Sequence, residues 1–244
     1  MNVVIVYKWA RDPEDALVKA DGSVDWRNAK MVPGEDDGAA LAVAQELAQA
    51  AGAQLVGVTI GDGDASWALA RGVSSTVSVG DVPALRDNAA TAAAIAAAVT
   101  SVGDVAAVVI GDAEQYPGVA PAVAGLLSMP AVLHVDSATQ TDGRTVIRRR
   151  SGAVIETLSA EGPVLLGVAA TAADSRTPGM KELLAARKRP VIAKTAADLG
   201  VATAEQLTVT SSSVPTSRSA RIFTGAPDHA AAELVAALRA DGVL

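Results

Sequence analysis

The stretch from Val105 to Pro130 reads VAAVVIGDAEQYPGVAPAVAGLLSMP. Its first six residues, Val105 to Ile110, form a short uninterrupted apolar run of the kind found in a strand buried on both faces. The chain then turns at Gly111-Asp112 and enters an Ala/Val/Leu-rich segment that stops before Pro130, so a strand, a loop and a helix follow one another. In an open α/β sheet, ligands sit beyond the carboxyl ends of the strands, where loop amides and the next helix N-terminus can receive a phosphate. The loop from Gly111 to Gly118 is therefore the first candidate for a nucleotide site.

Working outward, the same alternation recurs upstream. Val3 to Tyr7 reads as a first strand, with Lys8 to Pro13 leaving it as a loop. Ala20-Asp21-Gly22-Ser23 is the pattern of a hairpin turn between Ala16 to Lys19 and Val24 to Trp26. Pro33-Gly34-Glu35-Asp36-Asp37-Gly38 precedes a helical stretch that runs to Ala51 and is capped by Gly52. Glu35, Asp36 and Asp37 read either as a metal or ribose ligand set or as helix-start charge that favours the dipole and caps free N–H groups, and the second reading is preferred. Leu55 to Ile60 is a second buried strand, Ala65 to Arg71 a short helix ended by Gly72, Val73 to Val79 a third strand, and Asn88 to Thr100 an Ala-dominated helix. Strands alternating with helices at this spacing imply parallel βαβ units.

After Pro130 the texture changes. Ala131 to Val135, Thr145 to Arg150, Ala153 to Leu158 and Val164 to Val168 are strand candidates joined by turns at Thr141-Asp142-Gly143 and Ser151-Gly152, a partly antiparallel half. Arg148-Arg149-Arg150 reads as a solvated edge that discourages strand pairing, with Arg149 free to face the other way. Thr171 to Pro178 is a polar connector leading into a short helix, Gly179 to Arg189, stopped by Pro190. Met180 on that helix is either a buried residue or an adaptable apolar anchor. Thr203 to Arg221 is a Ser/Thr-rich arm, and Asp228 to Leu244 is an amphipathic helix with Ala231, Leu234, Val235 and Leu238 on one face. Residues 1–190 are expected to form an α/β core, and residues 191–244 an arm and helix that pack on a partner.

Composition narrows the function. Half of the 244 residues are apolar and 19% are charged, which excludes a largely disordered chain. Lys and Arg number 20 against 27 Asp and Glu, and the resulting net charge of -7 disfavours nucleic-acid binding. The chain has no cysteine, so disulfides, thiolate nucleophiles and Cys-ligated metals are out, and a reducing compartment, the cytoplasm, is expected. The start carries no signal-peptide pattern and no apolar run approaches the ~20 residues of a membrane span, so no membrane insertion is expected. The two histidines, His134 and His229, lie far apart and read as a strand-end residue and an exposed helix residue.

Several stretches taken together resemble a known family. They are Val4-Ile5-Val6-Tyr7-Lys8; Val56 to Gly61 followed by Ala65 to Gly72; Gly152 to Glu156 leading to Pro163-Val164-Leu165; Thr177-Pro178-Gly179-Met180-Lys181-Glu182-Leu183-Leu184 through Pro190-Val191; and Ala232-Glu233-Leu234-Val235 through Leu244. In order and spacing they resemble the electron-transfer flavoprotein beta subunit over nearly the whole chain. The resemblance implies a doubly wound, mostly parallel sheet with helices on both faces, of the adenine-nucleotide alpha-hydrolase type, with antiparallel additions and an extended C-terminal arm and helix. It also implies an alpha-subunit partner holding most of the FAD, with AMP or a second FAD in the beta subunit. Electrons would pass from acyl-CoA or other dehydrogenases to a quinone reductase or another acceptor. The missing acid/base constellation is then expected, because flavin supplies the chemistry.

Carried onto this chain, the resemblance assigns nucleotide binding to Val6, Lys8, Gly34, Asp37, Ile60, Gly111, Asp112, Ala113, Gly118 and Val119. It assigns partner docking to Met180, Lys181 and Leu184, with Met180 as the anchor in a dehydrogenase pocket. The chain departs from the family at the nucleotide loop, where Gly118 and Ala120 replace the usual Gln and Gly. Pro117 removes a backbone donor there, and Glu114 is ill suited to face a phosphate. Gly34-Glu35 also stands where the family has an Asn-Pro pair. Contacts from the backbone of Val6, Ile60 and Gly111 survive any such change. AMP, a second FAD or nothing at the beta site all stay open, as do a stand-alone adenine-nucleotide sensor and a structural subunit.

Overall fold

The computed structural model describes residues 1–61, 64–82, 87–112, 116–169, 177–201, 210–211, 213–216 and 220–244. The main elements are β1 (Asn2–Val6), α1 (Asp37–Ala51), β2 (Gln54–Ile60), α2 (Ser66–Ala70), β3 (Ser75–Val79), α3 (Asn88–Val102), β4 (Val105–Gly111) and α4 (Val119–Leu126). They continue with β5 (Ala131–Thr141), β6 (Arg144–Ser151), β7 (Val154–Ala160), β8 (Val164–Val168), α5 (Met180–Ala186), β9 (Val191–Lys194) and α6 (Pro227–Ala240). The nine strands make one sheet in the order β7-β6-β5-β8-β4-β1-β2-β3-β9. From β5 through β9 along that order the neighbours are parallel, and β5, β6 and β7 form an antiparallel meander. The expected α/β class, mostly parallel with antiparallel additions, is the class observed.

The central strands are apolar at consecutive positions because both of their faces are covered. Val3 and Ile5 of β1 pack with Ala40, Leu41, Ala44 and Leu47 of α1, whereas Val4 and Val6 pack into the opposite layer with Ile95 and Val99 of α3 and Val123 of α4. Burying such side chains contributes roughly 1.5–3 kcal/mol each, so the two layers fix the sheet between them. α1 ends where expected: Gly52 takes φ +59°, and its N–H reaches the carbonyl of Ala48. A left-handed residue there costs little only for glycine.

The winding direction reverses at β1. The chain runs outward through β2 to β3, then crosses back and inserts β4 on the other side of β1. A reversal of this kind splays the connections and opens a crevice at the strands' carboxyl ends.

Three sequence expectations need correction. The segment after β1 is not only a loop: Trp9–Arg11 is a strand that pairs antiparallel with Met31–Pro33, a partner about twenty residues away that no local pattern announces. β5 runs on to Thr141, because its pairing with β6 continues past Val135. The arginine triplet does not lie on the sheet edge. β6 is flanked by β5 and β7, the chain having turned back once more at Gly152 (φ +60°), and Arg149 meets Glu156 on β7, Nε to Oε2 2.6 Å. That pair is a third exposed on each side and contributes at most about 1 kcal/mol. Met180, for which a buried and an exposed reading were both open, is 72% exposed.

The hairpin expected around Asp21-Gly22 is present, with Leu17–Val18 and Val24–Asp25 as its strands and Lys19 N–H donating to the Ser23 carbonyl at 2.9 Å. By compactness the chain divides into two units, Met1–Leu17 with Asp25–Val209, and Val18–Val24 with Thr210–Leu244. The first contains the whole sheet. In the second, α6 buries none of its residues, Leu234 and Val235 are exposed, and Arg221 is paired with Asp241. Most of the Ser/Thr-rich arm, and the polar connector before Thr177, fall outside the described residues.

Candidate functional site

The crevice at the β1/β4 reversal is a half-open cleft. Its floor is apolar: Val6 and Ile110 come from the ends of β1 and β4, Ile60 from β2, Ile95 from α3 and Val119 from α4. Its polar lining is Lys8, Asp37, Gly111 and Tyr116. The in-register ends of the strands, Val6 opposite Val58 and Ile110, bring these groups together although more than a hundred residues separate them.

Asp37 holds this side of the cleft in shape. Its Oδ2 accepts both the Lys8 N–H at 2.9 Å and the Gly34 N–H at 2.8 Å, tying the exit of β1 to the loop before α1. The carboxyl is fully buried, and desolvation pushes its pKa up to about 6 against the opposing pull of the Lys8 charge and the two amide donors. Helix-start capping was the expected role of this acidic run. Asp37 instead serves amides outside its own helix, and Asp36 at the N-cap makes no side-chain cap bond. The reason is that α1 begins directly against β4, where an added Cβ on Gly111 would lie 2.8 Å from Asp36 Cβ. Gly34 is similarly enclosed, since a Cβ there would collide with the Lys8 side chain.

Lys8 runs over Tyr116, Nζ 5.0 Å from the ring centre, a cation on an aromatic face. Burial raises the Tyr116 hydroxyl pKa. Thr91, in the first turns of α3, is buried, and its hydroxyl has no hydrogen-bond partner among the described residues. Its neighbour on the helix axis, Ile95, completes the α3 wall.

Six of the expected nucleotide residues, Val6, Lys8, Asp37, Ile60, Gly111 and Val119, line this one cleft. Gly34 adjoins it through Asp37. Gly118 caps α4, where an added Cβ would meet Asn88 Nδ2 at 3.1 Å. The carboxylate of Asp112 is engaged elsewhere: it accepts the His134 N–H at 3.0 Å and lies 3.2 Å from His134 Nδ1. His134 adopts φ +58° inside β5, so it is a residue of a strand irregularity and not a strand end. Ala113 lies outside the described residues. Tyr116 belongs to the loop from Gly111 to Gly118 that was expected to form the site, whereas Tyr7, Thr91 and Ile95 line the cleft without having been expected; alternation along β1 and the helical period from Asn88 were the signals available for them.

The three docking candidates sit on α5. Met180 and Leu184 are exposed, as is Leu183 between them. Glu182 fixes the helix start by accepting the Gly179 N–H at 2.6 Å. Lys181 borders a separate concavity shared with Arg71, Glu182 and Arg189. Arg189 donates to the carbonyls of Leu69 and Val73, both at 2.6 Å, and so clamps the end of α2. Among the described residues no group of three His, Asp or Glu could hold a metal ion, and no helix is long and apolar enough to cross a membrane.

The residues fit an adenine nucleotide in kind: an apolar slot for a flat base, a cation and strand-end backbone for a phosphate, and an unpaired hydroxyl within the slot. A family model, the electron transfer flavoprotein domain, matches residues 27–199, a span that takes in α1 through β9 and most of the cleft wall. This chain belongs to the electron transfer flavoprotein family.

Proposed function

We propose that the chain is the beta-type subunit of an electron-transfer flavoprotein. It pairs with an alpha-type subunit that carries FAD and relays electrons from acyl-CoA or other dehydrogenases to a quinone reductase or another acceptor. The observation that carries this reading is the β1/β4 cleft, in which Val6, Lys8, Asp37, Ile60, Gly111 and Val119 converge within a chain of this family. We assign the cleft to AMP: the base in the apolar slot, the phosphate toward Lys8 and the amides at the end of β4. Flavin in the partner supplies the redox chemistry when bound, and this chain supplies packing, the nucleotide seat and docking.

Two exposed surfaces support the partner roles. Met180, Leu183 and Leu184 form an apolar patch on a short helix, suited to insertion in a dehydrogenase pocket. In α6, Leu234 and Val235 are exposed on a helix with no buried residue, suited to packing against the alpha-type subunit. Co-expression of the chain with a flavin-bearing alpha-type subunit tests the reading. The expected product is a one-to-one complex with visible flavin absorbance. Recovery of the chain alone and colourless would overturn it.

A further inference from the structure

Buried hydroxyls without a partner are costly, about 1–3 kcal/mol each, so each invites an explanation. Tyr7, Thr59, Thr76 and Thr91 carry such groups. The Tyr7 ring packs in the α1 layer, 5.5 Å from Trp67, and its hydroxyl belongs to that layer together with Thr76 beside Gly57. Tyr7 also borders the cleft, but its hydroxyl faces that of Thr76, and Thr59 and Thr76 do not line the cleft; Thr91 lines it from the α3 side with no such neighbour among the described residues.

We infer that Thr91 is a specificity-determining residue of the nucleotide cleft, its hydroxyl taking a hydrogen bond from, or giving one to, the polar edge of a bound purine base. The inference rests on the nucleotide reading above and extends it to a residue outside the strand-end loops. The apolar surroundings of Thr91 disfavour a phosphate against it. Ile60, Ile95 and Ile110 line the cleft with Thr91, and an anion buried against them would lose hydration. Among the described residues, Lys8 is the cation that lines the cleft, and it stands beside Tyr116. A heteroaromatic base suits the floor: its faces are apolar enough for the isoleucines, and its edge nitrogens need one partner, which the Thr91 hydroxyl supplies as donor or acceptor. The pocket then rejects ligands that lack that edge, since the hydroxyl stays unpaired with them.

The test is calorimetric titration of the full chain with AMP, and with ribose 5-phosphate as a probe lacking the base, for wild type, Thr91→Val and Thr91→Ser. Valine keeps the shape and removes the hydroxyl. AMP should bind Thr91→Val at least about fivefold more weakly and Thr91→Ser within about twofold of wild type. Ribose 5-phosphate should bind wild type and Thr91→Val alike, and the nucleotide-free Thr91→Val chain should melt no lower than wild type. Equal AMP affinity in wild type and Thr91→Val would overturn the role of Thr91 and leave the nucleotide reading standing. An equal loss for both probes, or a lower melting temperature of free Thr91→Val, would assign the hydroxyl to the fold and overturn the inference. No binding of AMP to wild type would overturn the nucleotide reading and this inference with it.

Discussion

Replacing Asp37 separates two roles that the structure combines in one carboxyl. Oδ2 accepts two amides, Lys8 N–H and Gly34 N–H, while burial raises the pKa from 3.8 to about 6. Since the folded-state value is the higher one, the folded chain holds the proton more tightly than the unfolded chain. The stability that Asp37 contributes is fully present below pH 3.8 and is lost as pH rises through 6. Linkage over that window gives wild type a loss of roughly 2 kcal/mol between pH 4.5 and 7.5 from this group alone. Asp37→Asn offers one carbonyl oxygen to the same two amides and has no proton to lose. The stability of Asp37→Asn relative to wild type should therefore rise by roughly 2 kcal/mol across the same interval. Asp37→Ala leaves both amides without an acceptor and should be less stable than Asp37→Asn by about 2–5 kcal/mol at either pH. Urea denaturation of the three proteins at pH 4.5 and 7.5 gives the differences directly. Parallel pH dependence of wild type and Asp37→Asn would refute the buried, raised carboxyl, and equal stability of Asp37→Ala and Asp37→Asn would refute the double latch.

Two further outcomes are expected. Gly111→Ala sets a Cβ 2.8 Å from Asp36 Cβ and 3.3 Å from the Asp36 backbone, so the start of α1 must shift; urea unfolding should show a loss of about 1–3 kcal/mol, and an unchanged midpoint would contradict the contact. Met180→Asp, at an exposed position, should leave melting temperature and flavin content of the complex unchanged while slowing flavin reduction by a dehydrogenase in stopped-flow traces, and unchanged reduction would remove Met180 from the docking surface.

The parts of the fold visible in the sequence were those with a strong local period. β1, β2 and β4 are apolar runs rich in β-branched residues, and being buried on both faces is what makes such runs continuous. Gly52 and the turn at Gly143 are legible for a comparable reason, as both take positive φ. Elements that depend on distant partners were not legible. Trp9–Arg11 becomes a strand only because Met31–Pro33 lies alongside, and Val191–Lys194, largely exposed, is a strand only because β3 offers an open edge. In α3, alanine occupies both faces, so the sequence pattern gives Thr91 no orientation; the packing of Ile95 and Val99 into the sheet sets it. The site was legible at the strand ends, where topology alone predicts a crevice, and less so beyond them. Asp112 follows the strand-end rule in position, yet the irregularity at His134 takes its carboxylate away from the cleft.

The central claim is that a beta-type chain seats an adenine nucleotide in the β1/β4 cleft. Quantitative mass spectrometry of small molecules released on denaturing the co-expressed complex tests it most directly. One AMP and one FAD per complex is the predicted result. FAD with no adenine nucleotide beyond it would contradict the assignment of the cleft.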